Sequence, residues 1–242
     1  MDSSLPFSLP TDSERMTTFA DETTSQQEEY VFEEDEAVAK TPDEVLHEMK
    51  VAWVNENCAP TLLPHKYDAA ECLLDQVDSM ESNIDACKNK GSLKVATHKM
   101  EVLRIGYLVN DYLRVRLEKI ERNSRGLLNT HNQRANEGKA PLLAEEELQF
   151  VAKFATAEAK LLESCLYGKL PPPFRRIPVA EINTEFERVF ARTVAENVEN
   201  VTVPDYQDKI SDSIVEMEKD SVHLISFNAV RDHLESGKVQ LM

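Results

Sequence analysis

From His98 to Glu121, HKMEVLRIGYLVNDYLRVRLEKIE, apolar residues recur at helical spacing without forming one narrow stripe. Val102, Ile105, Val109, Tyr112, Leu113, Leu117 and Ile120 cover a broad arc, which Leu103, Leu108 and Val115 widen on both sides. Arg104, Asp111, Arg114, Glu118 and Glu121, with Tyr107 among them, make the polar strip. A helix apolar around more than half its girth is packed from several directions. The pattern predicts a helix in the middle of a bundle, covered by the rest of the chain or by another chain. Arg116 points into the apolar arc, where it reads as a snorkelling edge residue or as half of a buried or interface ion pair. Gly106 costs about 1 kcal/mol against alanine inside a helix, a cost explained if another helix crosses closely there.

Three further helices are expected around it. Thr41-Pro42-Asp43-Glu44 has the form of a capping box with proline at the first helical position, and Val45, Met49, Ala52 and Trp53 then mark one face. Asn57 and Pro60 end this helix. The next runs from about Asp68 to Lys90, with Ala70, Leu73, Leu74, Val77, Met80, Ile84 and Cys87 on one face, and Gly91 stops it. The central helix starts near Ser92. Asn129 to Ala140 is polar, contains Gly138 and is expected to be a mobile loop. The last helix spans about Leu143 to Tyr167, with a stripe at Leu148, Val151, Ala152, Ala155, Ala159, Leu162 and Leu166.

Beyond Leu170-Pro171-Pro172-Pro173, which cannot continue a helix, the period changes. Alternation across 186–194, the β-branched Val198, Val201 and Val203 before Pro204-Asp205, and short runs at Ile210–Met217 and Val222–Phe227 predict strands. Asn228–Glu235 reads as a short helix and Lys238–Met242 as a final strand after Ser236-Gly237. The fold class is therefore mainly α: an N-terminal helical bundle, 41–168, followed by a Pro-rich linker, 169–182, and a small β-rich domain, 183–242. A module of about sixty residues is near the size where a core alone is marginal, so it is expected to lean on something.

Composition changes this picture mainly at the N-terminus. Of the formal net charge of −17, −9 falls in residues 1–40, where eleven acids face only Arg15 and Lys40. This tail is too poor in apolar residues to offset ordering entropy and is expected to be disordered. Phe7, Leu9, Phe19 and Tyr30-Val31-Phe32 stand in it as possible docking beads. Neither tail nor body has the basic balance of an autonomous nucleic-acid binder. The four cysteines have no CxxC spacing; Cys72 and Cys87, on or beside apolar helical positions, are expected to be reduced core thiols. No cationic-then-apolar leader or bilayer-length apolar run is visible, which makes the cytosol or nucleus the default compartment.

No catalytic or metal-binding motif emerges. Gly168-Lys169 lacks the upstream glycine and following Ser or Thr of a phosphate-binding loop, and no HExxH, GxSxG or EF-hand pattern occurs. The six histidines have no ligand spacing. No cofactor and no metal are expected, and an unrecognised hydrolase is the outlying alternative.

Three blocks carry a family resemblance. They are Thr41-Pro42 with Ala52-Trp53-Val54-Asn55-Glu56 and Ala59-Pro60-Thr61-Leu62-Leu63; Met100-Glu101, Arg104, Tyr107-Leu108 and Tyr112 to Glu121; and Glu218-Lys219, His223-Leu224-Ile225 and Ser236 to Leu241. In this order they resemble the Sld-five family of GINS complex subunits across most of residues 41–242. The tail and the 129–140 segment are not covered. The resemblance implies a nuclear, non-catalytic subunit of a heterotetramer with three other GINS subunits, built from a helical A domain and a small B domain. It also implies DNA replication partners, the MCM ring and the Cdc-forty-five protein; a contact with DNA is either indirect or not readable from the sequence. Tyr107, Tyr112, Arg114 and Arg116 are the candidate partner contacts. Trp53 is read first as core, because a large aromatic on an amphipathic stripe is usually buried in its own domain, and otherwise as interface. The alternative function is an adaptor whose acidic tail recruits replication-fork factors.

Overall fold

The computed structural model describes residues 40–242 apart from residues 89, 176, 178, 180–183, 185, 186 and 205–211. The acidic tail with Phe7, Phe19 and Tyr30–Phe32 therefore lies outside the described residues, as do Phe186, Asp205 and Ile210.

Helix α1, Pro42–Cys58, opens on the capping box read from sequence: Thr41 Oγ1 accepts from the Glu44 N–H at 3.4 Å, and the Glu44 carboxylate accepts from the Thr41 N–H at 2.7 Å. Helix α2, Tyr67–Ala86, buries Ala70, Leu73 and Ile84. Helix α3, Leu93–Arg122, begins where Ser92 Oγ accepts from Val95 N–H and runs thirty residues, about 45 Å at 1.5 Å per residue. Val45 and Met49 of α1, Ala70 and Leu73 of α2, and Ile105, Leu108, Val109 and Tyr112 of α3 close one core. Cys72 and Cys87 are exposed rather than core thiols, because burial of Ala70, Leu73 and Ile84 turns both outward.

A methyl group added at Gly106 would meet nothing within 4 Å, so no described helix of this chain crosses closely there. One expectation on this stretch is overturned. The segment expected as a mobile loop is instead largely helix α4, Ser124–Asn136. Its polar sequence hides three anchors. Asn123 Oδ1 accepts from Gly126 N–H at 3.1 Å, Leu127 enters a core with Leu62, Ile120, Leu142, Leu143 and Val151, and Arg134 is buried. A Cβ at Gly126 would sit 2.3 Å from the Asn123 amide nitrogen, so this position needs glycine to keep its cap. Helix α5, Glu145–Cys165, follows.

The C-terminal part is a small antiparallel module. Strands β1, Arg188–Thr193, β4, Val222–Ser226, and β5, Val239–Leu241, form a sheet in the order β4-β1-β5, while β2, Val201–Pro204, pairs with β3, Asp212–Val215. The register sets Phe190 opposite Leu224 and Arg192 opposite both Val222 and Gln240. Helix α6, Phe227–Glu235, lies between β4 and β5 in sequence and buries Phe227, Val230 and Leu234. Gly237, at φ +72°, makes the turn into β5.

The module does lean on the bundle. Its core of Val189, Ala191, Val201, Met217, Ile225, Phe227, Val230, Leu234, Val239 and Leu241 is completed by Ala59 and Leu63, from the connection after α1. Asn55 Oδ1 of α1 accepts from the Leu241 N–H at 2.8 Å, satisfying an outward amide of strand β5. Both Arg134 Nη atoms reach the Glu235 carboxylate, at 2.9 and 2.7 Å.

Candidate partner interface

The helical bundle is fastened around one buried cation. Arg116 is fully buried, and all five of its N–H donors find acceptors. Its Nε and Nη2 grip Glu147 at 2.7 and 2.8 Å. Nη1 reaches Glu56 at 3.2 Å and the Leu63 carbonyl at 2.8 Å, and Nη2 also reaches the Leu142 carbonyl at 2.7 Å. Lys119 Nζ takes the other Glu56 oxygen at 2.7 Å and bonds the Glu56 and Thr61 carbonyls. Glu147 also accepts from the Ala144 N–H at 3.0 Å, capping α5. Burial opposes the Arg116 charge, but the Glu147 hydrogen bond, Tyr112 and the two carboxylates outweigh it and hold its pKa above the ordinary value. For Lys119 burial wins, and its pKa is lowered despite Glu56. This network ties α1, α3, α5 and the 59–66 connection into one body and sets which face of α3 turns outward.

Of the residues expected at a partner interface, Tyr112 and Arg116 are interior, at 2% and 0% exposure. The partners of Arg116 are in its own chain, and both side chains are spent inside the bundle: the Tyr112 hydroxyl oxygen accepts from the Lys66 N–H at 3.1 Å, and the Arg116 guanidinium stands 5.6 Å from the Tyr112 ring. Trp53 is half-buried against the α1–α2–α3 core and donates from Nε1 to Asp111 Oδ2 at 2.8 Å. Tyr107 and Arg114 are exposed.

Tyr107 and Arg114 share their face with Leu103 and Leu117, which the sequence pattern assigns to the apolar arc, and with further exposed residues of α3. Leu93, Ala96, Met100, Leu103, Tyr107, Asn110, Arg114 and Leu117 are all exposed and follow a strict three–four spacing along α3. Met100 and Leu103 are each 72% exposed. Such spacing is the seam of one helix packed along another. In the sequence Leu103 only widens the apolar arc; the signal for its exposure is the surplus of that arc over what the neighbouring stripes can cover. A second exposed stripe runs along α5 through Phe150, Ala157 and Leu161, with Phe154 partly buried and its ring stacked 5.8 Å from that of Phe150.

The contact between bundle and C-terminal module is pH-dependent by construction. Burial opposes the Glu235 charge, but Arg134 and Arg231 outweigh it and hold the carboxyl below its ordinary value of 4.5. The unfolded chain therefore takes up a proton first as pH falls. The stabilisation is complete above the ordinary value and is lost as pH drops through the lowered one. Stability against urea is expected to decline in this acid range, and Glu235→Gln to flatten that part of the profile; an unchanged profile would remove Glu235 from the account.

Among the described residues, no group of three or more His, Cys, Asp or Glu side chains could hold a metal, and no helix is long and apolar enough to cross a membrane. Comparison with known proteins matches residues 63–166 to the model of the GINS complex protein helical bundle domain, and residues 186–242 to that of the DNA replication complex GINS protein SLD5 C-terminus. The chain is similar to the DNA replication complex GINS protein SLD5 of Homo sapiens, 35% identical over 213 residues, covering 86% of this chain and 93% of that protein. Its counterpart in Xenopus laevis is 35% identical over 214 residues, with 87% and 95% covered, and that in Arabidopsis thaliana 27% identical over 202 residues, with 80% and 89% covered.

Proposed function

Because this chain belongs to the SLD5 family of GINS complex proteins, we propose that it is a non-catalytic structural subunit of the GINS heterotetramer, in the nucleus. It acts in DNA replication initiation and fork progression as part of the MCM–GINS–Cdc-forty-five helicase. Residues 41–168 serve as the assembling A domain, 169–182 as a linker and 183–242 as the B domain. The observation that carries this reading is the uncovered α3 seam from Leu93 to Leu117. A monomer gains nothing by leaving Met100 and Leu103 in water at heptad spacing, whereas a helix of a sister subunit packed there removes both from solvent. Gly106, open on its outer side, lets that helix approach closely.

The test is co-expression with the three other GINS subunits. Leu103→Asp is expected to abolish co-purification of the tetramer, while changing the stability of the chain by no more than about 0.5 kcal/mol, the range for exposed positions. A tetramer that assembles normally with this variant would remove α3 from the interface. The hydrophobic beads of the acidic tail support a second, compatible role as an adaptor for fork factors. Deleting residues 1–40 is then expected to leave the tetramer intact and to cost binding of a fork factor; loss of the tetramer itself would contradict the assignment of assembly to the folded part.

A further inference from the structure

Between the helical bundle and the C-terminal module lies a cleft of about 410 Å³, within the roughly 300–1,000 Å³ of small-molecule sites. The connection after α1, the end of α3, helix α4 and Arg231 of α6 border it. Its floor is apolar, with Leu62 and Leu127 buried. One wall is the polar side of α4, where Gly126, Asn129, Thr130 and Gln133 recur at three- and four-residue spacing. The polarity that makes this stretch read as a loop in the sequence is thus the side of a helix turned to a polar cavity.

Charge in the cleft runs against the rest of the chain. The protein carries a formal net charge of −17, yet the described residues lining the cleft include Lys119, Arg122 and Arg231 and no carboxylate. Lys119 is committed to Glu56. Arg122 gives Nη2 to Glu118 at 3.4 Å, an exposed pair on one helix that is worth little. Arg231 gives only Nε to Glu235, at 3.2 Å, and its Nη groups have no acceptor among the described residues. Thr61 is a further observation of the same kind. Its carbonyl accepts from Lys119 at 3.2 Å, but its hydroxyl oxygen is buried and has no hydrogen-bond partner among the described residues. A buried hydroxyl left so costs free energy that a bound acceptor recovers.

We infer that this cleft binds a small molecule bearing a diphosphate. Arg122 and Arg231 each take one phosphoryl group, in the bidentate geometry that a guanidinium offers to phosphate. The Thr61 hydroxyl donates to a phosphate oxygen, and the side-chain amides of Asn129 and Gln133 hold the polar remainder of the ligand. A nucleic-acid strand is a poorer fit. No aromatic residue lines the cleft for bases to stack on, and two available guanidiniums are few for a phosphate backbone.

The test is calorimetric titration of inorganic pyrophosphate into the full chain, purified with the co-expressed GINS subunits. Saturable binding at a single site is expected, with orthophosphate weaker by roughly tenfold or more because it engages one arginine. Arg122→Gln and Arg231→Gln are each expected to weaken pyrophosphate by about tenfold or more, with thermal unfolding unchanged. Thr61→Val keeps the shape and removes the hydroxyl. It is expected to weaken binding by roughly threefold or more without lowering the unfolding temperature of the unliganded protein, which loses no hydrogen bond to this hydroxyl. Absence of saturable binding, equal affinity for orthophosphate, or affinity indifferent to either arginine overturns the diphosphate site. So does a Thr61→Val protein that loses stability in place of affinity, or displacement of pyrophosphate by a lower concentration of single-stranded oligonucleotide. The α3 assembly reading stands under each of these outcomes.

Discussion

Truncating Arg116 to alanine is expected to destabilise the chain by roughly 3–5 kcal/mol, the cost of removing one partner from a buried ion network. The loss is large because the change strands several groups together. Glu147, itself buried, keeps only the Ala144 N–H, and the Leu63 and Leu142 carbonyls lose their donor. Glu56 is cushioned by Lys119 at 2.7 Å, so Glu147 is the larger source of the penalty. Arg116→Lys is expected to rescue only part of the stability, since an ammonium offers three donors where five acceptors are waiting. Urea unfolding followed by the fluorescence of Trp53, the single tryptophan of the chain, reads both changes. If the alanine variant unfolds at the unaltered midpoint, the network does not hold the bundle. The double change of Arg116 to methionine and Glu147 to glutamine is expected to recover much of the loss, because it leaves fewer unpaired charges than either single truncation.

Phe227→Ala is expected to cost about 3–5 kcal/mol, the range for deleting a buried aromatic ring. Phe227 stands at the junction of β4 and α6 and is almost completely buried among the strands and helix of the module, in the same cluster as Ala59 and Leu63. The damage should therefore cross between domains. Amide exchange is expected to accelerate in β1, β4 and β5, and also at residues 59–63 of the bundle. Acceleration confined to the strands would show that the shared core carries no stability between the two parts.

Much of this architecture was legible in the chain. Helices α1, α2, α3 and α5 announced themselves by apolar positions three and four apart, and α1 also by a capping box of adjacent residues. The change to alternation after the proline triplet located the antiparallel module, although strand ends moved by a few residues where pairing partners set them. These signals are local: periodicity records which side of an element meets the core, and caps are made within one turn.

What the sequence by itself determined was thus the kind of each element, their order, the surplus of apolar surface on α3 and, by resemblance, the family. Tertiary structure alone decided where that surplus went. Arg116 and Tyr112 turned inward because Glu147, Glu56 and Lys66, distant in sequence, converge on them; Leu103 and Met100, equally apolar, were left outside because none of the described residues covers them. Helix α4 formed through its Asn123 cap, the burial of Leu127 and the Arg134–Glu235 contact spanning 101 residues. A local pattern states that a residue has something to bury or a charge to satisfy. Which partner does so is set by long-range contacts, and along the α3 seam no described residue of this chain supplies one.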